Sequence, residues 1–221
     1  MIHDGRLPSR ALRWLDRVGV GADRILGGVD VFHWTDYTVL PVGDVPVVAT
    51  IHDVLFDELP ECYTTEMLSG LRAVTRRIVD AAVHIVVPSE RTRVGLARHY
   101  GVSEARVTVV PHGATPLPGA TPATEHGRYV LAVGTLEPRK NLLRLVHAVE
   151  AARGRVPDLR LVVAGARGWK DDDVVAACDS RAWVDRVGPV GPQRLGPLYA
   201  GADIVAYPSL GEGFGLPVLE A

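Results

Sequence analysis

Short runs of β-branched and apolar residues recur along the chain, separated by longer stretches in which apolar residues fall at three- and four-residue spacing. The runs at residues 29–33, 47–51, 83–87, 107–110, 129–133, 159–164, 183–187 and 204–207 predict strands. The intervening pattern predicts a helix over residues 64–82, where Met67, Leu68, Leu71, Val74, Ile78 and Ala82 share a face behind a Thr64 or Thr65 cap. Further helices are predicted over residues 89–100, ending at Gly101, and over 141–153, 171–178 and 193–202, with another over 12–18. Strands that alternate with helices in this way build βαβ units and a parallel sheet, so the fold class is α/β.

Residues 115–127 (TPLPGATPATEHG) interrupt the alternation with three prolines, no strand former and no helical period. They read as a linker between a domain at 1–114 and a second α/β domain at 128–221. The chain opens in polar sequence where early strands are expected, and its last residues, LPVLEA, carry the spacing of a helix that is cut off. Both domains are therefore expected to be incomplete, as in a fragment.

At 221 residues the chain has room for one large or two small domains at roughly 150 residues each. Hydrophobic residues make up 47% and charged residues 23%, which excludes disordered, collagen-like and coiled-coil classes. A net charge of −2 leaves no global positive field for gripping nucleic acid. Cys62 and Cys178 lie far apart in no metal-ligand spacing and fit two reduced thiols. No apolar run approaches ~18 residues, and MIHDGRLPSR lacks a signal-peptide core, so a cytoplasmic location is expected. The segment 10–26, with Arg10, Arg13 and Arg17 beside Leu12, Trp14 and Leu15, suits either a solvated helix or a peripheral contact at the inner face of an anionic membrane. Of the 24 basic residues only Lys140 and Lys170 are lysines, so a lysine stands out in this chain.

Candidate chemistry gathers at the ends of predicted strands. After the run at 204–207 comes Pro208-Ser-Leu-Gly-Glu212-Gly-Phe-Gly215, and a helix from Leu216. A glycine-rich turn that opens a helix presents free N–H groups and a positive dipole end, which suits a phosphate. Glu212 and Glu220 flank this turn, and Glu220 falls on an apolar helical face, where a carboxylate can accept from ribose hydroxyls. The loop Gly134-Thr-Leu-Glu-Pro-Arg139-Lys140-Asn141 sets two cations at a helix start, against the dipole, and an anion there would resolve the conflict. His52 and Ser89 each follow a strand at its carboxyl edge, where ligands of such sheets bind, although Ser89 equally reads as an N-cap and His52 as a hydrogen-bonded histidine. Pro111-His112-Gly113 reads as a structural turn. Asp171-Asp172-Asp173 contains an Asp-x-Asp pair, but acidic residues in a first helical turn account for it, and no metal is expected. P-loop, Gly-x-Ser-x-Gly, His-Glu-x-x-His and Gly-x-Gly-x-x-Gly motifs are all absent.

Glu212-Gly-Phe-Gly-Leu-Pro-Val-Leu-Glu220-Ala resembles the Glu-x7-Glu motif of the retaining, family-4-type glycosyltransferases of GT-B fold (glycosyl transferases group 1), and Val133–Asn141 is similar to their phosphate-binding loop, above all in the mannosyltransferase-like branch. Thr50-Ile-His-Asp with Pro60-Glu61, Val86-Val-Pro-Ser-Glu90, Val110-Pro-His-Gly113 and Leu198-Tyr-Ala-Gly-Ala-Asp203 match in the same order. The resemblance implies two Rossmann-like domains and metal-independent transfer of a hexose, with mannose the candidate sugar, from a nucleotide-sugar such as GDP-mannose or a UDP-sugar to a glycan or lipid-linked acceptor, as in polysaccharide biosynthesis, with no cofactor. It implies Glu212, His52 and Lys140 as catalytic residues. As donor contacts it implies Ser89, Thr135, Arg139, Lys140, Val190, Gly213, Phe214, Gly215, Leu216 and Glu220. Thr135 stands where the family often has an arginine, and His112-Gly113 where it has Asn-Gly. A non-catalytic nucleotide-binding remnant of the same fold remains the alternative.

Overall fold

The computed structural model describes residues 21–221 apart from Leu26 and Ala120. The predicted helix at 12–18, and all but the end of the amphipathic segment 10–26, lie outside the described residues. The chain divides into two compact units: one holds the residues up to Val54 together with Ser69–Pro111, the other Leu55–Leu68 together with His112–Ala221.

In the first unit, β1 (Phe32–Trp34), β2 (Val47–Thr50), β3 (His84–Val87) and β4 (Val107–Val109) form a parallel sheet in sequential order. Val48 pairs with His84, and Val86 with Thr108. The helix α1 (Ala22–Ile25) precedes β1. Between the strands lie the two-turn-and-longer elements α3 (Thr65–Ala81) and α4 (Glu90–Tyr100), which bury Ile78 and Leu96, while the sheet buries Ala49, Ile85 and Val87. Thr64 Oγ1 accepts from Met67 N at 3.2 Å and settles which threonine caps α3. The strand expected at 29–33 is instead Phe32–Trp34, because pairing starts only where Phe32 meets Val47.

The second unit begins with α2 (Leu55–Glu58) and a 3-10 turn (Pro60–Cys62), both too short for a periodic signal. Its sheet contains β5 (Tyr129–Val133), β6 (Arg160–Ala164), β7 (Val184–Gly188) and β8 (Ile204–Val205), all parallel, in the order β7-β6-β5-β8. The strands β5 and β6 are nearly all buried, as expected of strands covered on both faces. On one face α5 (Leu142–Ala152) and α6 (Asp172–Asp179) pack Leu142, Val146, Val149 and Cys178 against Ala132, Leu161 and Val163. On the other, α7 (Pro192–Gly201) packs Leu198 against Tyr129, Leu131 and Val162, and the Tyr129 hydroxyl donates to Leu198 O at 2.7 Å.

The chain leaves β5, builds outward through β6 and β7, then returns to place β8 on β5's free side. The strand order thus reverses between β5 and β8, and a crevice opens there at the carboxyl ends of such strands. The strand expected at 204–207 stops at Val205; Ala206 N still donates to Leu131 O at 2.8 Å, and the chain then continues into the loop at the reversal. A short helix, α8 (Leu216–Glu220), follows that loop. Gly165 ends β6 so close to β5 that a side chain there would meet the Gly134 carbonyl oxygen at 1.9 Å, so only glycine fits.

Residues 112–127 contain no helix or strand among those described. They are tied to the second unit, where Ala123 N donates to Pro197 O at 2.9 Å and His126 packs edge-on against Tyr129. The Pro60–Cys62 turn is clasped in the same unit. Trp169 Nε1 donates to Cys62 O at 2.7 Å, Lys170 Nζ donates to Glu61 O and Tyr63 O at 2.9 and 2.6 Å, and the Tyr63 and Trp169 rings stack at 5.7 Å.

Candidate functional site at the strand-order reversal

Two loops meet at the reversal. One follows β5 and passes through a 3-10 turn (Pro138–Lys140) into α5; the other follows β8 and runs through Glu212 to α8. Leu210 N donates to Arg139 O at 2.9 Å, and Asn141 Nδ2 donates to Pro208 O at 3.1 Å. Asn141 therefore does not cap α5 with its side chain; it sits in the left-handed region (φ 55°) and ties the loops together.

The two cations converge on one carboxylate. Lys140 Nζ donates to Glu212 Oε1 and Arg139 Nη1 to Glu212 Oε2, each at 2.7 Å, and Arg139 Nη1 also reaches Gly211 O at 2.8 Å. The other edge of the guanidinium, Nη2, donates to Glu137 Oε1 at 2.5 Å, and Arg139 Nε is buried with no hydrogen-bond partner. Lys140 also lies over the Tyr207 ring at 5.3 Å and passes along Gly134. The cations at this helix start are thus balanced by Glu212 and Glu137, side chains of the protein itself.

The electrostatics separate the two glutamates. Burial pushes the Glu212 carboxyl up, but the Lys140 hydrogen bond and the charges of Arg139 and Lys140 outweigh it, and it titrates below the usual glutamate range. Burial dominates at Glu137 and holds its carboxyl above that range despite Arg139. The Tyr207 hydroxyl is raised by burial and by the Glu212 charge.

The remaining expected residues are distributed as follows. Glu220 Oε2 accepts from the Tyr199 hydroxyl at 2.9 Å, and burial together with that bond raises the tyrosine. Gly215 is left-handed (φ 105°) at the start of α8, and Phe214 packs edge-on against His112 at 5.1 Å. Thr135 is half-buried beside Gly168, while Val190, between β7 and α7, packs partly against the Tyr129 cluster. In the first unit Ser89 is the N-cap of α4, accepting from Thr92 N at 3.2 Å, and Thr92 Oγ1 donates to His52 O. The His52 ring contacts Thr35 O through Nε2 at 2.9 Å. Asp171 is buried and accepts from Nε and Nη2 of Arg167, and among the described residues no group of three His, Cys, Asp or Glu is arranged to hold a metal.

Glu137, Tyr63, Tyr207 and the Trp169–Lys170 clasp were not anticipated. A signal existed for Lys170, since the rarity of lysine that favoured Lys140 applies equally to it.

A doubly wound sheet with a charge cluster at its strand-order reversal belongs to the open α/β class, in which ligands bind beyond the carboxyl ends of the strands at that point. Comparison with known proteins makes this specific. Residues 2–116 match the family model described as Glycosyltransferase Family 4, and residues 127–221 the one described as Glycosyl transferases group 1. The chain belongs to this glycosyltransferase family. It is 30% identical over 193 residues to O-antigen chain mannosyltransferase B of Escherichia coli, covering 79% of this chain and 50% of that protein. It is 33% identical over 207 residues to a D-inositol 3-phosphate glycosyltransferase of Corynebacterium aurimucosum, covering 80% and 48%. The chain spans about half the length of these relatives. Among solved GT-B structures, WaaG, a glycosyltransferase involved in lipopolysaccharide biosynthesis, superposes with a TM-score of 0.70 at 17% identity over 100% of this chain and 64% of its own. Anabaena HepE in complex with UDP and glucose gives 0.60 at 18% identity over 80% and 50%.

Proposed function

We propose that this chain forms the donor-handling part of a retaining hexosyltransferase that moves mannose from a nucleoside-diphosphate sugar, GDP-mannose, to a glycan or lipid-linked acceptor. The observation that carries the reading is the convergence of Arg139 and Lys140 on Glu212 at the strand-order reversal. Two cations held on fixed loops are suited to a diphosphate leaving group, whose charge grows as the sugar departs, and preorganised donors of this kind lower such a barrier most. In this reading Glu220 accepts from the ribose, Glu212 turns to the donor sugar, and the turn from Gly213 to Leu216 faces the phosphate. Thr135 and Val190 line the same donor. His52 and Ser89 are the first unit's proposed contributors. The likeness to the Escherichia coli mannosyltransferase supports mannose, and the UDP complex of the Anabaena structure supports a nucleoside diphosphate.

The test is calorimetric titration of GDP-mannose and UDP-glucose, followed by transfer to a lipid-linked glycan in EDTA. Binding of a nucleotide-sugar that is lost in Arg139→Ala, with transfer that persists without metal, is the expected result. Binding without any transfer or donor hydrolysis would favour a non-catalytic nucleotide-binding module. Strict dependence on Mn²⁺, abolished by Asp171→Asn, would defeat the metal-independent mechanism.

A further inference from the structure

Four charged side chains share the interior of the β5 and β8 loops, and their charges cancel: Arg139 and Lys140 against Glu137 and Glu212. The diphosphate diester of a nucleotide-sugar is doubly negative, so it enters a cluster that is already neutral. Bringing further negative charge into a largely buried site is costly unless a carboxylate withdraws or is neutralised. Glu212 is able to withdraw, because it is carried on the glycine-rich loop and its side chain is 18% exposed. Glu137 is not. It is 3% exposed, in extended backbone between Leu136 and Pro138. It faces Arg139 and Lys140 of its own turn, Glu212 of the β8 loop and the Cys62 thiol of the Pro60–Cys62 turn. Arg139 is gripped on both edges, Nη2 by Glu137 and Nη1 by Gly211 O and Glu212.

We propose that Glu137 is a positioning residue of the donor site: it holds the Nη2 edge of Arg139 while the donor diphosphate replaces Glu212 on the Nη1 edge, and it takes up a proton from solvent as that charge arrives. The inference rests on the donor reading above. Burial already favours the protonated carboxyl, and a diphosphate on Arg139 and Lys140 strips away the cationic compensation and adds negative charge nearby. Its pKa is then higher with donor bound than without. The loaded protein holds more protons, so affinity is greatest in acid and falls as pH rises between the two values.

The experiment titrates GDP-mannose and UDP-glucose into the chain from about pH 5 to about pH 8, in two buffers of different ionisation enthalpy so that protons are counted. These ligands carry a diester diphosphate that does not itself titrate in this range. The expected result is a loss of affinity of about tenfold or more with rising pH, one pKa unit corresponding to about tenfold, accompanied by proton uptake. Glu137→Gln keeps an acceptor for Nη2 and the side-chain volume while removing the charge. It is expected to bind about tenfold more tightly than the parent at the alkaline end, with a flat profile and no uptake. His112→Gln, which removes the titratable ring against Phe214, is expected to keep the slope. A flat parent profile overturns the proposal, as does a slope that survives in Glu137→Gln but vanishes in Glu212→Gln. Proton counting on the unaltered chain decides the matter even where Glu137→Gln folds poorly. Failure of both nucleotide-sugars to bind at every pH defeats the donor reading itself.

Discussion

The second unit carries a charge cluster at each edge of its sheet, and the two are alike in composition but not in wiring. At the amino-terminal edge Arg160 grips Asp185 with Nε and Nη2 at 3.0 and 2.7 Å, and His126 Nδ1 lies 3.1 Å from the same carboxylate. This cluster borders an open groove of ≈ 790 Å³ whose lining also includes Glu125, Arg186 and Arg194. At the carboxyl edge Arg139 and Lys140 share Glu212, Glu137 takes Arg139's other side, and Arg139 Nε has no partner. In the first arrangement one carboxylate is held by a single arginine on the neighbouring strand, with a histidine beside it. The second is a relay in which one carboxylate spans two cations at the only strand-order reversal among the described residues. What marks the site is cations whose partner is exchangeable.

Arg139→Ala is expected to have the largest effect, because it strands the buried Glu137 and removes half of the diphosphate's counter-charge. It should cost about 3 kcal/mol of stability and abolish nucleotide-sugar binding in titration. Arg160→Ala at the opposite edge should cost about 1 to 3 kcal/mol in a denaturant melt and leave that binding unchanged. Equal binding losses in the two variants would erase the distinction.

Next in size is the contrast within the Glu-x7-Glu motif. Glu220→Ala should raise the donor KM roughly ten- to a hundred-fold, since a charged hydrogen bond of about 1.5–3 kcal/mol is lost. Glu212→Ala should lower kcat while diphosphate affinity holds or rises, since the two cations are freed. Equal loss of diphosphate binding in both would show that the roles are divided differently.

A smaller effect sharpens the amino-terminal edge. The Arg160 hydrogen bonds, helped by His126, hold the Asp185 carboxyl below the usual aspartate range. A depressed folded-state pKa contributes stability that is present above the unfolded value of about 3.9 and lost as pH falls through the folded value. Asp185→Asn should therefore lower stability by about 1 kcal/mol at neutral pH, with the gap to the parent closing in acid below about pH 4. Thermal melts at the two pH values check this. Ser89→Ala, which removes the α4 cap in the first unit, should cost about 1 kcal/mol as well, at every pH. A Ser89→Ala penalty that tracked the Asp185→Asn titration would break the assignment.

Much of the fold was legible because parallel strands buried on both faces announce themselves as β-branched runs. The prediction for β5 is exact and that for β6 is off by one residue, whereas β8 came out two residues too long: Ala206 N still donates to Leu131 O of β5 at 2.8 Å, but the regular ladder ends at Val205. The four-residue helix at Leu55–Glu58 is about one turn long, too short for a three- and four-residue apolar repeat to show. At the site, glycines, cations and the flanking glutamates were visible as spacing. Glu137 was not, because a glutamate beside a proline in a loop reads as solvated, and its burial comes from the β8 loop and the Pro60–Cys62 turn, far away in sequence. Nor does the strand order, which locates the crevice, appear in any local pattern.

The scarcity of lysine gives this protein a built-in reporter. Its only two side-chain amines are Lys140, ion-paired to Glu212, and Lys170, tied to two main-chain carbonyls. An amine-directed acylating reagent thus has two lysine targets per molecule, one within the proposed donor site and one on the clasp outside it. Peptide mass spectrometry of the adducts reads occupancy at the first against the second as an internal standard, with no label or engineered residue required.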